Sequence, residues 1–154
     1  MSYWARSPGV GAVSTLADDA MRAMGIHTSR RCAVALAAGR VVLGVVAVLR
    51  PALPARPWVG AADAAGPAGQ VLGRALGGRD ISLGVGALLA LRDEGAGATV
   101  AAWVAAGALA DGVDALATLV SWPALPLVGR IGVTGVAGGA AVLGVLAAAT
   151  LRAR

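Results

Sequence analysis

The stretch Ala98–Trp122, ATVAAWVAAGALADGVDALATLVSW, decides how the rest of the chain is read. A bilayer-crossing helix needs about 20 predominantly apolar residues, and this run supplies them. Yet it carries Asp111 and Asp114 near its middle. Trp103, Gly107, Asp111, Asp114, Thr118 and Ser121 recur at spacings of four, four, three, four and three. That spacing puts them on one helical stripe, while the opposite faces are Ala, Val and Leu. A charge at the centre of a lone transmembrane helix costs roughly 2.5–3.5 kcal/mol on insertion scales. A helix with two such charges is expected to bury its stripe against partner helices.

Composition says what the solvent is. Of 154 residues, 58% are hydrophobic and 14% charged, and the mean hydropathy is +0.77. Soluble domains carry about 25% charged residues, so these charges are too few to cover a water-facing globule. The apolar load is Ala, Gly, Val and Leu; Phe is absent and Gly occurs 23 times. With so few large side chains, helices are expected to pack backbone to backbone. All 13 basic residues are Arg. The arginines are scattered among apolar runs without aromatic interleaving, which argues against nucleic acid as a partner despite the net charge of +5.

Three further spans follow from the same pattern. The first is about 32–49, CAVALAAGRVVLGVVAVL, with Arg40 at its centre and a stop at Arg50-Pro51. Residues 51–68 read as an external loop with Pro51, Pro54 and Pro57, and with Trp58 at the interface. The second span, about 69–91, opens behind Pro67 and holds Arg74, Arg79 and Asp80 in its first half. Gly73, Gly77, Asp80 and Gly84 form a small-residue contact strip with a carboxylate set into it. Residues 92–97 are a polar turn, and 98–122 is the third span. Trp122-Pro123 and Pro126 break the chain before the fourth, about 127–151, whose glycines read as packing surfaces and whose Arg130 can snorkel. The fold class expected is all-α, an integral membrane antiparallel four-helix bundle.

Residues 1–31 are polar enough to lie outside the membrane as a cytoplasmic segment, and 152–154 form a cytoplasmic tail. Thr15-Leu-Ala-Asp18 matches a capping box, Val13, Leu16, Ala20 and Met24 share a face, and Gly25 suits a C-cap. These predict a short amphipathic helix on the membrane surface. Ser29-Arg30-Arg31 precedes an apolar run, but the run contains Arg40 and no cleavage site follows, so export by cleavage is not expected. Arginine distribution sets the topology. Arg6, Arg22, Arg30, Arg31, Arg92, Arg152 and Arg154 fall on one side, against Arg50, Arg56 and Arg130 on the other. Both termini are therefore expected in the cytoplasm of a multi-pass protein of the bacterial inner (plasma) membrane.

Depth makes the charges meet. At about 1.5 Å per residue, Arg40 lies roughly 12 Å from the cytoplasmic end of its span, Asp80 roughly 17 Å, Asp111 roughly 20 Å, and Asp114 and Arg74 roughly 25 Å. Arg40, Arg79, Asp80 and Asp111 share the mid-membrane, and Arg74 is level with Asp114 above them. The expected site is this cluster of Asp111, Asp114, Asp80, Arg40, Arg79 and Arg74. It either fixes helix register or lines a cavity for a small ligand or a proton.

Other chemistry has no residues to carry it. Cys32 is the sole cysteine and His27 the sole histidine, in the N-terminal segment. No nucleotide, zinc or serine-hydrolase motif occurs, the arginines beside the aspartates discourage a metal, and no cofactor is expected.

The pattern Gly39-Arg40…Leu43-Gly44, Gly78-Arg79-Asp80…Leu83-Gly84 and Asp111…Asp114-Ala115 resembles an uncharacterised family of small four-span membrane proteins common in actinobacteria. The resemblance covers about 40–151 and implies the four-span fold and no particular activity. Three functional classes stay open. One is a small transporter with a ligand or proton site. The second is a structural or accessory subunit with a membrane-protein partner or a second copy of itself. The third is a membrane-embedded acid–base enzyme acting on a lipophilic substrate.

Overall fold

The computed structural model describes residues 9–93 and 95–152, with side chains from residue 25 onward. Among them every element is helical. The order is α1 Gly9–Leu49, α2 Ala52–Val59, α3 Ala61–Ala65, α4 Pro67–Ala90, α5 Gly97–Val120, a 3-10 turn Trp122–Ala124, and α6 Leu127–Arg152. Three stretches are long and apolar enough to cross a membrane: Gly25–Leu49, Gly97–Val120 and Leu127–Arg152. Helix α4 matches them in length but carries Arg74, Arg79 and Asp80.

The N-terminal segment corrects one expectation. Helix α1 runs unbroken through Gly25, so no separate short helix is capped there, and Thr15 sits inside the helix rather than at its start. A glycine inside a helix costs only about 1 kcal/mol, which a 41-residue helix absorbs. The amphipathic face of Val13, Leu16, Ala20 and Met24 concerns side chains outside the described residues. Residues 51–65 differ too. They form α2 and α3 instead of an irregular loop, with a turn at Gly60, whose φ of 95° needs a residue without Cβ.

Helix α1 packs along α4 and α5 along α6, with further contacts between α1 and α6 and between α4 and α5. The α1–α4 seam is glycine against backbone. A Cβ on Gly77 would lie 2.7 Å from the Gly44 carbonyl oxygen, and one on Gly44 would lie 2.6 Å from that of Gly77. One turn or two along, a Cβ on Gly84 would lie 2.6 Å from the Ala37 oxygen. The pairing of 44 with 77 and of 37 with 84 means that the two helices run in opposite directions. The expected contact strip of Gly73, Gly77, Asp80 and Gly84 is therefore a packed face.

The α6 glycines split. Gly129 abuts the backbone of Pro57 and Trp58, and Gly144 faces Ala108. Gly132, Gly135, Gly138 and Gly139 meet nothing within 4 Å, so they are not packing surfaces within the chain. The outward faces carry many large apolar side chains: Leu109 is 71% exposed, and Val120 and Val136 are each 76% exposed. Large apolar patches of this kind are rare on water-facing proteins.

The two ends of the molecule close differently. At the end where α1 passes Ala33, that residue, Leu91, Val100, Ala101, Val104, Ala147, Ala148 and Leu151 form a continuous apolar core. Arg30 donates to the Leu91 carbonyl at 2.6 Å, satisfying the end of α4. At the other end α2 lies across the helices. There Arg130 donates to the carbonyls of Leu125 (2.6 Å) and Pro123 (3.1 Å) and stacks on Trp122, bracing the α5–α6 connection.

Candidate functional site

Between these ends lies an ion-pair layer contributed by three helices. Arg40 of α1 donates to Asp80 Oδ1 (3.3 Å), to the Gly107 carbonyl (2.6 Å) and, through the same Nη2, to Asp111 Oδ2. Arg79 of α4 forms a fork with Asp114, at 3.1 and 2.8 Å, and reaches back to Asp80 Oδ1 through Nε and Nη2. The planar guanidinium suits this double engagement of a carboxylate. Asp80 is 8% exposed and belongs to the closed α1–α4 face.

Gly107 explains how Arg40 reaches so far. A Cβ there would lie 3.0 Å from Arg40 Nε, so the guanidinium rests on bare α5 backbone and takes its carbonyl. The sequence stripe placed Gly107 on this face but did not give it a role. Trp58 is the second omission. It is half-buried and donates Nε1–H to Thr118 Oγ1 at 3.1 Å, and Thr118 in turn donates to the Asp114 carbonyl at 2.7 Å. The polar stripe thus continues beyond the ions to α2. Trp58→Phe removes the donor while keeping an aromatic ring. The expected loss is about 1 kcal/mol of stability, the usual net worth of one hydrogen bond, measured as thermal unfolding in detergent.

Five of the six expected residues meet. Arg74 does not: it is exposed and donates to the Gln70 carbonyl and to Gln70 Oε1 on its own helix, at 3.2 and 3.1 Å. Asp114 takes Arg79 instead. This changes the charge account. The layer holds two guanidiniums and three carboxylates, a formal imbalance of one negative charge when all are ionised.

A cavity of about 360 Å³ opens on one side of the layer. Its walls are apolar, with Leu43, Leu76, Val133 and Val136 among them. Pro54, Pro57 and Trp58 of α2 form its roof, and Arg79, Asp80, Asp111 and Asp114 form its polar floor. Asp80 Oδ2 and Asp111 Oδ1 accept no hydrogen bond from any described residue. On the far side of Arg40 and Asp111 is a small void of about 20 Å³ lined by Ala37, Ala87 and Val104. The ion pair therefore lies between a roomy chamber and a much smaller void. Compared with models of known families, with curated proteins and with solved structures, the chain matches none.

Proposed function

We propose that this chain is a polytopic inner-membrane protein, an antiparallel four-helix bundle with both termini cytoplasmic, and that the Arg/Asp layer is the small-ligand or proton site of a small transporter. The observation that carries the reading is the cavity: apolar walls over a floor with an unbalanced carboxylate. Binding pockets commonly combine apolar walls with a few convergent polar groups. Ionisable groups held within apolar spans are retained where they bind or relay something. The surplus negative charge is met by a proton or by a monovalent organic cation with an apolar body. The closed apolar core at one end and the chamber at the other suit a site reached from one side.

The test uses the full chain in detergent with tetraphenylphosphonium, a lipophilic cation, beside an uncharged aromatic analogue of similar size. Saturable binding of the cation is expected, strengthening as pH rises because the proton competes for the same carboxylate. Asp111→Asn should weaken it about 10- to 100-fold, the worth of one charged contact. Absence of saturable binding by either probe overturns the reading.

One observation favours a second reading, an accessory subunit. Gly132, Gly135 and Gly139 leave an open small-residue face on α6, the kind of surface on which a partner helix packs closely. Co-purification of a stoichiometric membrane protein, lost on Gly135→Leu, would support that reading.

A further inference from the structure

The residue that left the ion-pair layer points to a separate site. Arg74 lines a groove of about 330 Å³ with Arg50, Arg56, Gln70, Leu49 and Leu53. The groove lies where α1 ends, α2 begins and the first turns of α4 pass. We propose that it is a phosphate-recognition site which holds the headgroup of an anionic phospholipid.

Charge is the first reason. Three arginines line one groove, and no Asp or Glu lines it. The guanidiniums of Arg50 and Arg56 make no hydrogen bond or ion pair with a described residue. Arg74 spends only Nη1, on Gln70, which holds the side chain in place and leaves its other N–H groups free. Like charges gathered without a counter-charge repel one another, and an anion relieves that repulsion. Guanidinium is matched in geometry to phosphate oxygens, which it can engage in pairs.

Position is the second. The arginines sit just past Leu49, the last residue of an apolar span, which is the level of the headgroups if that span crosses the bilayer. The apolar rim is the third. Leu49 and Leu53 line the same groove and are 72% and 58% exposed. A soluble phosphate has no use for them; the glycerol backbone and first methylenes of a lipid do. The site also accounts for Arg50 and Arg56 lying at the end opposite to Arg30, Arg92 and Arg152, against the usual arginine bias.

The test is native mass spectrometry of the full chain released from mixed micelles. Phosphatidylglycerol and phosphatidylcholine with identical acyl chains are compared, with inorganic phosphate and glycerol 3-phosphate as soluble competitors. Phosphatidylglycerol should be retained in preference. At about fivefold for each arginine near a lipid headgroup, Arg50→Gln/Arg56→Gln/Arg74→Gln should lose on the order of a hundredfold. Arg152→Gln, outside the groove, should change nothing. If the triple variant does not fold, Arg56→Gln alone carries the test, because its guanidinium bonds to nothing in the described chain. Equal retention of the two lipids, or a preference that survives the substitutions, overturns the site. Displacement of phosphatidylglycerol by millimolar soluble phosphate would overturn the lipid assignment and leave a phosphate site.

Discussion

Arg40→Met is expected to cost about 3–5 kcal/mol of folded stability, the loss seen when one partner of a buried ion pair is removed. Among the described residues Arg40 supplies the hydrogen bonds from α1 to α5, through the Gly107 carbonyl and Asp111, while also holding Asp80. Asp80 keeps Arg79 when Arg40 is gone, but Asp111 keeps no basic partner. The penalty is therefore that of one stranded carboxylate, and the second substitution should remove most of it. Arg40→Met/Asp111→Leu is expected to recover to within about 1–2 kcal/mol of the parent, since apolar replacement of a whole buried pair is often close to neutral. The four corners of this cycle can be read by reversible unfolding in mixed micelles. A single-variant loss below about 1 kcal/mol would mean that the layer does not hold the helices together. Failure of the double variant to recover would move the cost to lost packing.

Gly77→Val is the other large effect, and it acts through space rather than charge. The new Cβ would arrive 2.7 Å from the Gly44 oxygen and 3.0 Å from Ala47 Cβ, and both neighbours are fixed by the helix that carries them. Helices α1 and α4 must separate, at the upper end of the 1–3 kcal/mol typical of overpacking, and the floor of the cavity widens with them. Gly138→Ala is the control. Nothing lies within 4 Å of Gly138, so the change should be neutral or stabilising by up to about 1 kcal/mol through helix propensity. Equal effects of the two substitutions would contradict the glycine seam.

These two expectations rest on features that the sequence already displayed. The stripe from Gly107 to Thr118 and the strip from Gly77 to Gly84 were legible because helical periodicity shows which small and polar residues share a face, and those faces are buried here. Matching depths along the spans also place Arg40, Asp80 and Asp111 at one level. Arg74 was misjudged because depth ignores rotation. Six residues separate it from Asp80, which at 3.6 residues per turn puts it roughly 120° around α4, on another face. Residues 51–65 were opaque for a different reason. Their prolines signal a break, yet Pro51 sits at the N-cap of α2 and Pro54 in its first turn, where the missing N–H costs nothing. The role of Trp58 needed the three-dimensional placement of α2 over α5. The extension of α1 through Gly25 is hidden in the sequence because a single glycine inside a helix costs only about 1 kcal/mol, which the long helix on either side outweighs.

Helix α2 has two working sides. Pro54, Ala55, Pro57 and Trp58 line the chamber above the ions, while Leu53 and Arg56 line the arginine groove. One eight-residue segment, held to α5 by a single side-chain hydrogen bond, is thus a party wall. Whatever displaces it alters both spaces together. Thermodynamic reciprocity then requires that, if filling the groove changes the affinity of the chamber, filling the chamber changes the affinity of the groove by the same factor. Lipid composition would thereby become a variable in any binding measurement made on the chamber.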